Sequence, residues 1–234
     1  MEATMEQSRP KRTLSKDGST HVTDEVYNTM ISAVGAILSV VGVGVLIFKS
    51  WEAGKPWHLL AFSVYGFGLV NLFFLSALHH GINGLERTEY ALRRLDYYAI
   101  FFMIAGSVTP FCLIVLRNRY GLSVLGLVWL VALLSIALQV RFPSLPRWFT
   151  TAQYVGMGWL GTLIVFKIWN VLPKMAIFLL ALGGLLYTVG AVLYVLEKPN
   201  PVPGKFGFHE IWHLFVVAAS AVHFSIMYFY LLPY

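Results

Sequence analysis

The chain has 234 residues, 58% of them apolar and only 12% charged, with 17 Lys and Arg against 11 Asp and Glu and a mean hydropathy of +0.70. A soluble domain carries about a quarter charged residues, so the composition excludes disorder, a collagen-like repeat and an ordinary water-soluble globule. It points to a membrane protein. At about 20 apolar residues per membrane-crossing helix, this length accommodates seven helices, short loops and a tail, and leaves no room for a second folded domain.

The net charge of +6 bears on orientation more than on partners. A basic tail can touch anionic lipid, and nothing in the pattern suggests nucleic acid. The single cysteine, Cys112, excludes an internal disulfide and any multi-cysteine zinc or iron–sulfur site. A metal in this protein must be held by His and carboxylate.

Residues 1–25 are polar and mixed in charge and read as a mobile cytoplasmic tail, with helix entry near Asn28. The first apolar run starts too late, and is too long, for an ordinary cleaved signal peptide. It is expected to be an uncleaved first span of an all-α transmembrane domain over 26–234. Seven runs follow, at 30–48, 58–78, 97–116, 121–140, 148–166, 175–196 and 209–231, and Glu210 is the one charged residue inside them. A membrane barrel would instead alternate in polarity over segments of about ten residues. Trp51, Trp57, Trp148 and Trp169 fall near run ends, as interfacial anchors do.

Short loops let charge set the orientation. With the N-terminus inside, the inner segments hold eleven basic residues: Arg9, Lys11, Arg12, Lys16, Arg87, Arg93, Arg94, Arg141, Arg147, Lys198 and Lys205. The outer segments hold six: Lys49, Lys55, Arg117, Arg119, Lys167 and Lys174. This favours N-in, C-out.

Polar residues at membrane depth are costly and are functional candidates by default. Ser76 and His80 end the second run, Asp96 begins the third, and His209 and His213 begin the seventh. In the alternating topology all five lie on the cytoplasmic side. Each i, i+4 pair occupies one helix face about one turn apart. Two imidazoles from the seventh helix and one from the second suit Zn²⁺ with an open position, which would lower the pKa of a bound water to about 7. Asp96 is then the nearest base or supporting acceptor, and Ser76 can hydrogen-bond the water or a substrate carbonyl. A His pair at a helix end also serves as an interfacial or capping feature, so that reading stays open. His79 is expected to point about 100° away from His80. His223 lies about 15 Å beyond His213 along the helix and reads as a packed histidine. His209-Glu210-Ile211-Trp212-His213 also matches the H-E-x-x-H metalloprotease pattern, with Glu210 as base. Glu210 is read instead as a helix N-terminal charge.

Together, Ser76-x3-His80, Leu95-Asp96-Tyr97, Gly106-Ser107-x2-Pro110 and His209-x3-His213 resemble the haemolysin III / PAQR (progestin and adipoQ receptor) family, bacterial type, over roughly residues 25–231. The resemblance implies seven helices with a cytoplasmic N-terminus and zinc on His80, His209 and His213. It also implies roles for Asp96 and Ser76, and a multi-pass location in the bacterial inner membrane. By analogy with alkaline ceramidases of the wider superfamily it implies a zinc-dependent lipid amide or ester hydrolase in membrane lipid homeostasis, with membrane lipids as partners. A non-catalytic sensor or receptor with structural zinc, and a haemolysin-type pore former, are the alternatives. One departure is visible: Ile31-Ser32 stands where many bacterial members carry Thr-His, so no role of that histidine transfers.

Overall fold

The computed structural model describes residues 14–234. Arg9, Lys11 and Arg12 of the charge count lie outside the described residues. The elements are α1 (Val26–Glu52), α2 (Pro56–Gly81), α3 (Glu86–Pro110, continued by a π turn at Phe111–Val115), α4 (Arg119–Arg141), α5 (Arg147–Leu160), α6 (Thr162–Ile168), α7 (Lys174–Leu196) and α8 (Phe208–Ile226, continued by a π turn at Met227–Leu231). Six of the resulting rods are long and apolar enough to cross a membrane.

The fifth expected span, 148–166, is covered by α5 and α6, which are separated by Gly161 alone; its backbone stays right-handed helical at φ −57°, ψ −22°, so the rod is locally irregular there, in a stretch that also carries Gly156 and Gly158. Glycine weakens a helix by about 1 kcal/mol relative to alanine, and three within six residues explain why the rod is irregular. Helix α3 begins at Glu86, earlier than its apolar run, because a helix continues into the polar interface where acidic residues (Glu86, Glu89) suit its first turn.

Helix α1 packs on α2, α2 on α3, α7 on α8, and α1 also meets α8. The buried stripe of α1 is Asn28, Ser32, Gly35, Ser39, Val43, Leu46 and Ser50, small or polar at most positions. Its opposite face exposes Ile37, Leu38, Val40 and Val41. That inversion of a soluble helix is expected where lipid is the solvent and close packing holds helices together. Between α2 and α3 glycine lets backbone approach backbone: a Cβ on Gly68 would lie 2.9 Å from the Phe102 carbonyl oxygen, and one on Gly106 would lie 3.2 Å from that of Val64. These contacts draw the start of α3, with Asp96, toward the end of α2, with His80. Beyond them, Pro110 removes a backbone donor and the π turn at 111–115 follows directly, the usual local adjustment to such a loss.

The expectation of a mobile tail is corrected for its described part. Lys16, Asp17 and Ser19 are buried. Lys16 Nζ donates to the carbonyls of His79, His80 and Ile82 at 3.1, 2.7 and 2.8 Å. The last carbonyls of a helix have no partner within it and attract a cation. The segment before α1 therefore closes the end of α2.

Candidate metal centre

Helix α2 ends at Gly81, and α8 begins at Phe208, at the same end of the bundle. The opposite end is marked by His58 Nε2 meeting the Leu231 carbonyl at 3.1 Å, near the start of α2 and the end of α8. This antiparallel arrangement brings the three expected histidines together. The ring centroids of His80 and His209, and of His80 and His213, are 4.9 Å apart; those of His209 and His213 are 4.7 Å apart. One ligand atom from each ring lies within 4.8 Å of the other two.

The hydrogen bonds assign the nitrogens. His80 Nδ1 meets Glu25 Oε2 at 2.8 Å, and His209 Nδ1 meets Asp17 Oδ2 at 3.0 Å. An ionised carboxylate only accepts, so each Nδ1 carries the proton. His213 Nδ1 lies 3.3 Å from Ser32 Oγ. Each ring is thus engaged at Nδ1, and Nε2 is the nitrogen left for a ligand. His80 Nε2 is buried with no hydrogen-bond partner, an orphan that a cation would satisfy. Three neutral imidazoles backed by carboxylate or hydroxyl are a donor set that fits zinc.

The other expected residues stand close by. Ser76 Oγ shares a hydrogen bond of 2.9 Å with Ser32 Oγ. Asp96 is buried, and a carboxylate oxygen of it lies within 4.8 Å of ring nitrogens of His79 and His80. His79 was expected to turn away from His80. Its ring centroid is in fact 4.7 Å from that of His80, and both of its nitrogens are buried without hydrogen-bond partners. Its backbone is one residue along, yet the ring leans toward that of His80 rather than away from it. His223 packs edge-on against Tyr187, remote from the triad, in keeping with a packed histidine.

Glu210 has a different task. Its carboxylate accepts from the Gly207 amide at 2.7 Å, Thr23 Oγ1 at 2.8 Å and Asn28 Nδ2 at 2.8 Å. It caps α8 and ties that helix to the entry of α1. Held by three donors in a fully buried position, it does not suit the base of a metalloprotease.

Several site residues are not evident from the apolar runs: Asp17, Glu25, Ser32 and Arg147. Arg147 at the start of α5 pairs with Asp17 Oδ2 at 3.2 Å and Glu197 Oε1 at 2.8 Å. Burial alone would push the Asp17 carboxyl up. His209 and Arg147 beside it, with Ser15, outweigh that and hold it well below the usual carboxylate range. The one available signal was periodicity: Asn28 and Ser32 fall on one face of the first two turns of α1, with Glu25 just ahead of it, polar at the head of a stripe of small and apolar residues.

His209 and His213 line a cavity of about 980 Å³, with His80 directly behind them. Its polar end is formed by Asp17, Ser76, Asp96, Arg147, His209 and His213, and its walls by side chains such as Ile104, Phe111, Trp159, Ile164 and Leu180, out to Trp169 beyond α6. This is a long apolar chamber with one chemically equipped end.

Comparison with known proteins agrees with this architecture. A family model described as haemolysin-III related matches residues 20–224. The chain is 35% identical over 212 residues to Hemolysin-3 of Bacillus cereus, covering 91% of this chain and 94% of that protein. It is 32% identical over 209 residues to the Hemolysin-3 homolog of Bacillus subtilis strain 168, covering 89% and 95%. It is 28% identical over 185 residues to the human monocyte to macrophage differentiation factor, covering 77% and 72%. Six membrane-length apolar helices and these bacterial relatives describe a multi-pass integral membrane protein, for which an inner-membrane location is consistent. The chain belongs to the haemolysin-III related family.

Proposed function

We propose that the protein is a zinc-dependent membrane hydrolase acting on a lipid amide or ester, with His80, His209 and His213 as the metal ligands. The observation that carries this reading is the triangle of imidazoles engaged at Nδ1, with ring centroids 4.7–4.9 Å apart, at the polar end of a chamber large and apolar enough for an acyl chain. A zinc ion held there would supply Lewis acidity to activate water and polarise a carbonyl.

The chain's own residues do the rest. The apolar walls hold the acyl chain, and the carbonyl comes to rest among His80, His209 and His213. Asp96 takes the proton of the attacking water on a carboxylate oxygen. It returns that proton to the leaving nitrogen or oxygen as the C–N or C–O bond breaks, releasing a fatty acid and an amine or alcohol. Ser76 Oγ, through its bond with Ser32 Oγ, is placed to orient the carbonyl. The basic loops at this end put it on the cytoplasmic face.

A non-catalytic sensor is the second reading, favoured by the fact that the cluster ties α2 to α8 and so has structural value without turnover. The test is a panel of lipid amides and esters given to the purified protein with zinc, with Asp96→Asn as control. Product formed by the wild type and not by Asp96→Asn supports the hydrolase. Metal binding with no product from any lipid in either protein supports the sensor.

A further inference from the structure

We infer that Asp17 and Glu25, both on the segment before α1, are positioning residues for the metal centre, each holding one imidazole by its Nδ1 proton so that Nε2 faces the ion. The inference rests on the zinc reading above and goes beyond it by assigning a role to the segment ahead of the first helix.

Each contact lies within ordinary hydrogen-bond distance, 3.0 Å from Asp17 to His209 and 2.8 Å from Glu25 to His80. Each carboxylate is itself fixed. The Asp17 side chain is 2% exposed and paired with Arg147, and it accepts from the Ser19 amide at 3.1 Å and from Ser15 Oγ. Glu25 Oε2 also accepts from Asn28 Nδ2 at 2.9 Å. Its backbone sits at φ 64°, a left-handed conformation uncommon for residues other than glycine, where the segment turns into α1. Lys16 anchors the segment independently on the carbonyls ending α2. A surface tail packed for convenience has no need of one buried and one part-buried carboxylate (Asp17 and Glu25) aligned on two members of one histidine triad. The third histidine has an uncharged counterpart, Ser32, on α1.

A carboxylate behind a ligating imidazole fixes its tautomer and orientation and raises its basicity, and losing such a partner typically lowers metal affinity 10–100-fold. Two carboxylates supplied by the same segment make the affinity of the centre depend on how that segment is packed.

The test uses the full chain in detergent. Zinc affinity is measured by competition with a chromophoric chelator, and ligand geometry by the visible absorption of the Co²⁺-substituted protein. Asp17→Asn and Glu25→Gln keep side-chain size and give the decisive readings if alanine variants fail to fold. Each is expected to lower zinc affinity at least tenfold and to alter the Co²⁺ bands, with Asp17→Glu recovering part of the loss. Lys16→Met loosens the segment without touching an imidazole and serves as the structural control. At a matched fall in melting temperature it should lose less affinity than Asp17→Asn. Unchanged affinity and spectrum in both isosteric variants would overturn the inference while leaving the zinc site intact. So would affinity losses that simply follow melting temperature across all variants. A wild type that takes up neither Zn²⁺ nor Co²⁺ would overturn the zinc reading, and this inference with it.

Discussion

Asp17 and His209 are separated by 192 residues in the chain and by 3.0 Å in space, carboxylate oxygen to ring nitrogen. One precedes every described helix and the other stands at the start of α8. Their meeting shows that the segment before α1 packs against the histidine cluster.

The proton-transfer role proposed for Asp96 has a simple consequence. Asp96→Asn keeps the size of the side chain and removes its basicity. Zinc content should match the wild type, while turnover of any lipid substrate falls about 10²–10⁴-fold. Initial rates and metal analysis on the same preparation check this.

Glu210 separates the cap from the metalloprotease base. Glu210→Ala strands the Gly207 amide, Asn28 Nδ2 and Thr23 Oγ1, and should destabilise the protein by about 3 kcal/mol. Glu210→Gln, which keeps an acceptor, should lose less stability and retain most activity. Thermal unfolding in detergent, beside a rate measurement, distinguishes these from the near-complete loss a base would show.

The sequence made the helices legible because bilayer thickness imposes a long apolar run and forbids charges within it. It made His80, His209 and His213 legible because alternating topology places chain-distant residues at one depth. The irregularity at Gly161 was not legible, because an apolar run of 19 residues from 148 to 166 has the composition of a span whether or not the helix is regular. Lys16, Asp17 and Glu25 were not legible either. In a polar tail a charge is the ordinary residue, and nothing local distinguishes the three that pack against the cluster from their solvated neighbours.

Close approach of α2 and α3 should be intolerant of side chains. Gly68→Val places atoms against the Phe102 carbonyl and the Met103 Cα. Overpacking of this kind costs about 1–3 kcal/mol, and here it also pushes Asp96 away from His80. A lower melting temperature and weaker turnover are both expected. Gly126→Ala, inside α4 where nothing stands within 4 Å, should leave turnover unchanged and raise the melting temperature slightly, since alanine favours a helix over glycine.

The chamber predicts chain-length selectivity. Ala181→Phe narrows the wall formed by α7 without touching the histidines. It should raise KM for long-acyl substrates about tenfold, on the basis of 1–3 kcal/mol for a few misplaced methylenes, and leave short-acyl substrates nearly unaffected. A series of acyl lengths assayed on both proteins checks this.

The central claim is that three imidazoles from two helices hold one metal ion. The most direct measurement is elemental mass spectrometry of the detergent-purified protein after zinc supply and removal of excess, beside a His80→Ala/His209→Ala variant. The expected result is about one zinc per chain in the wild type, as a single set of three histidines implies, and none retained by the variant. A wild type without zinc, or a variant that keeps it, would contradict the account.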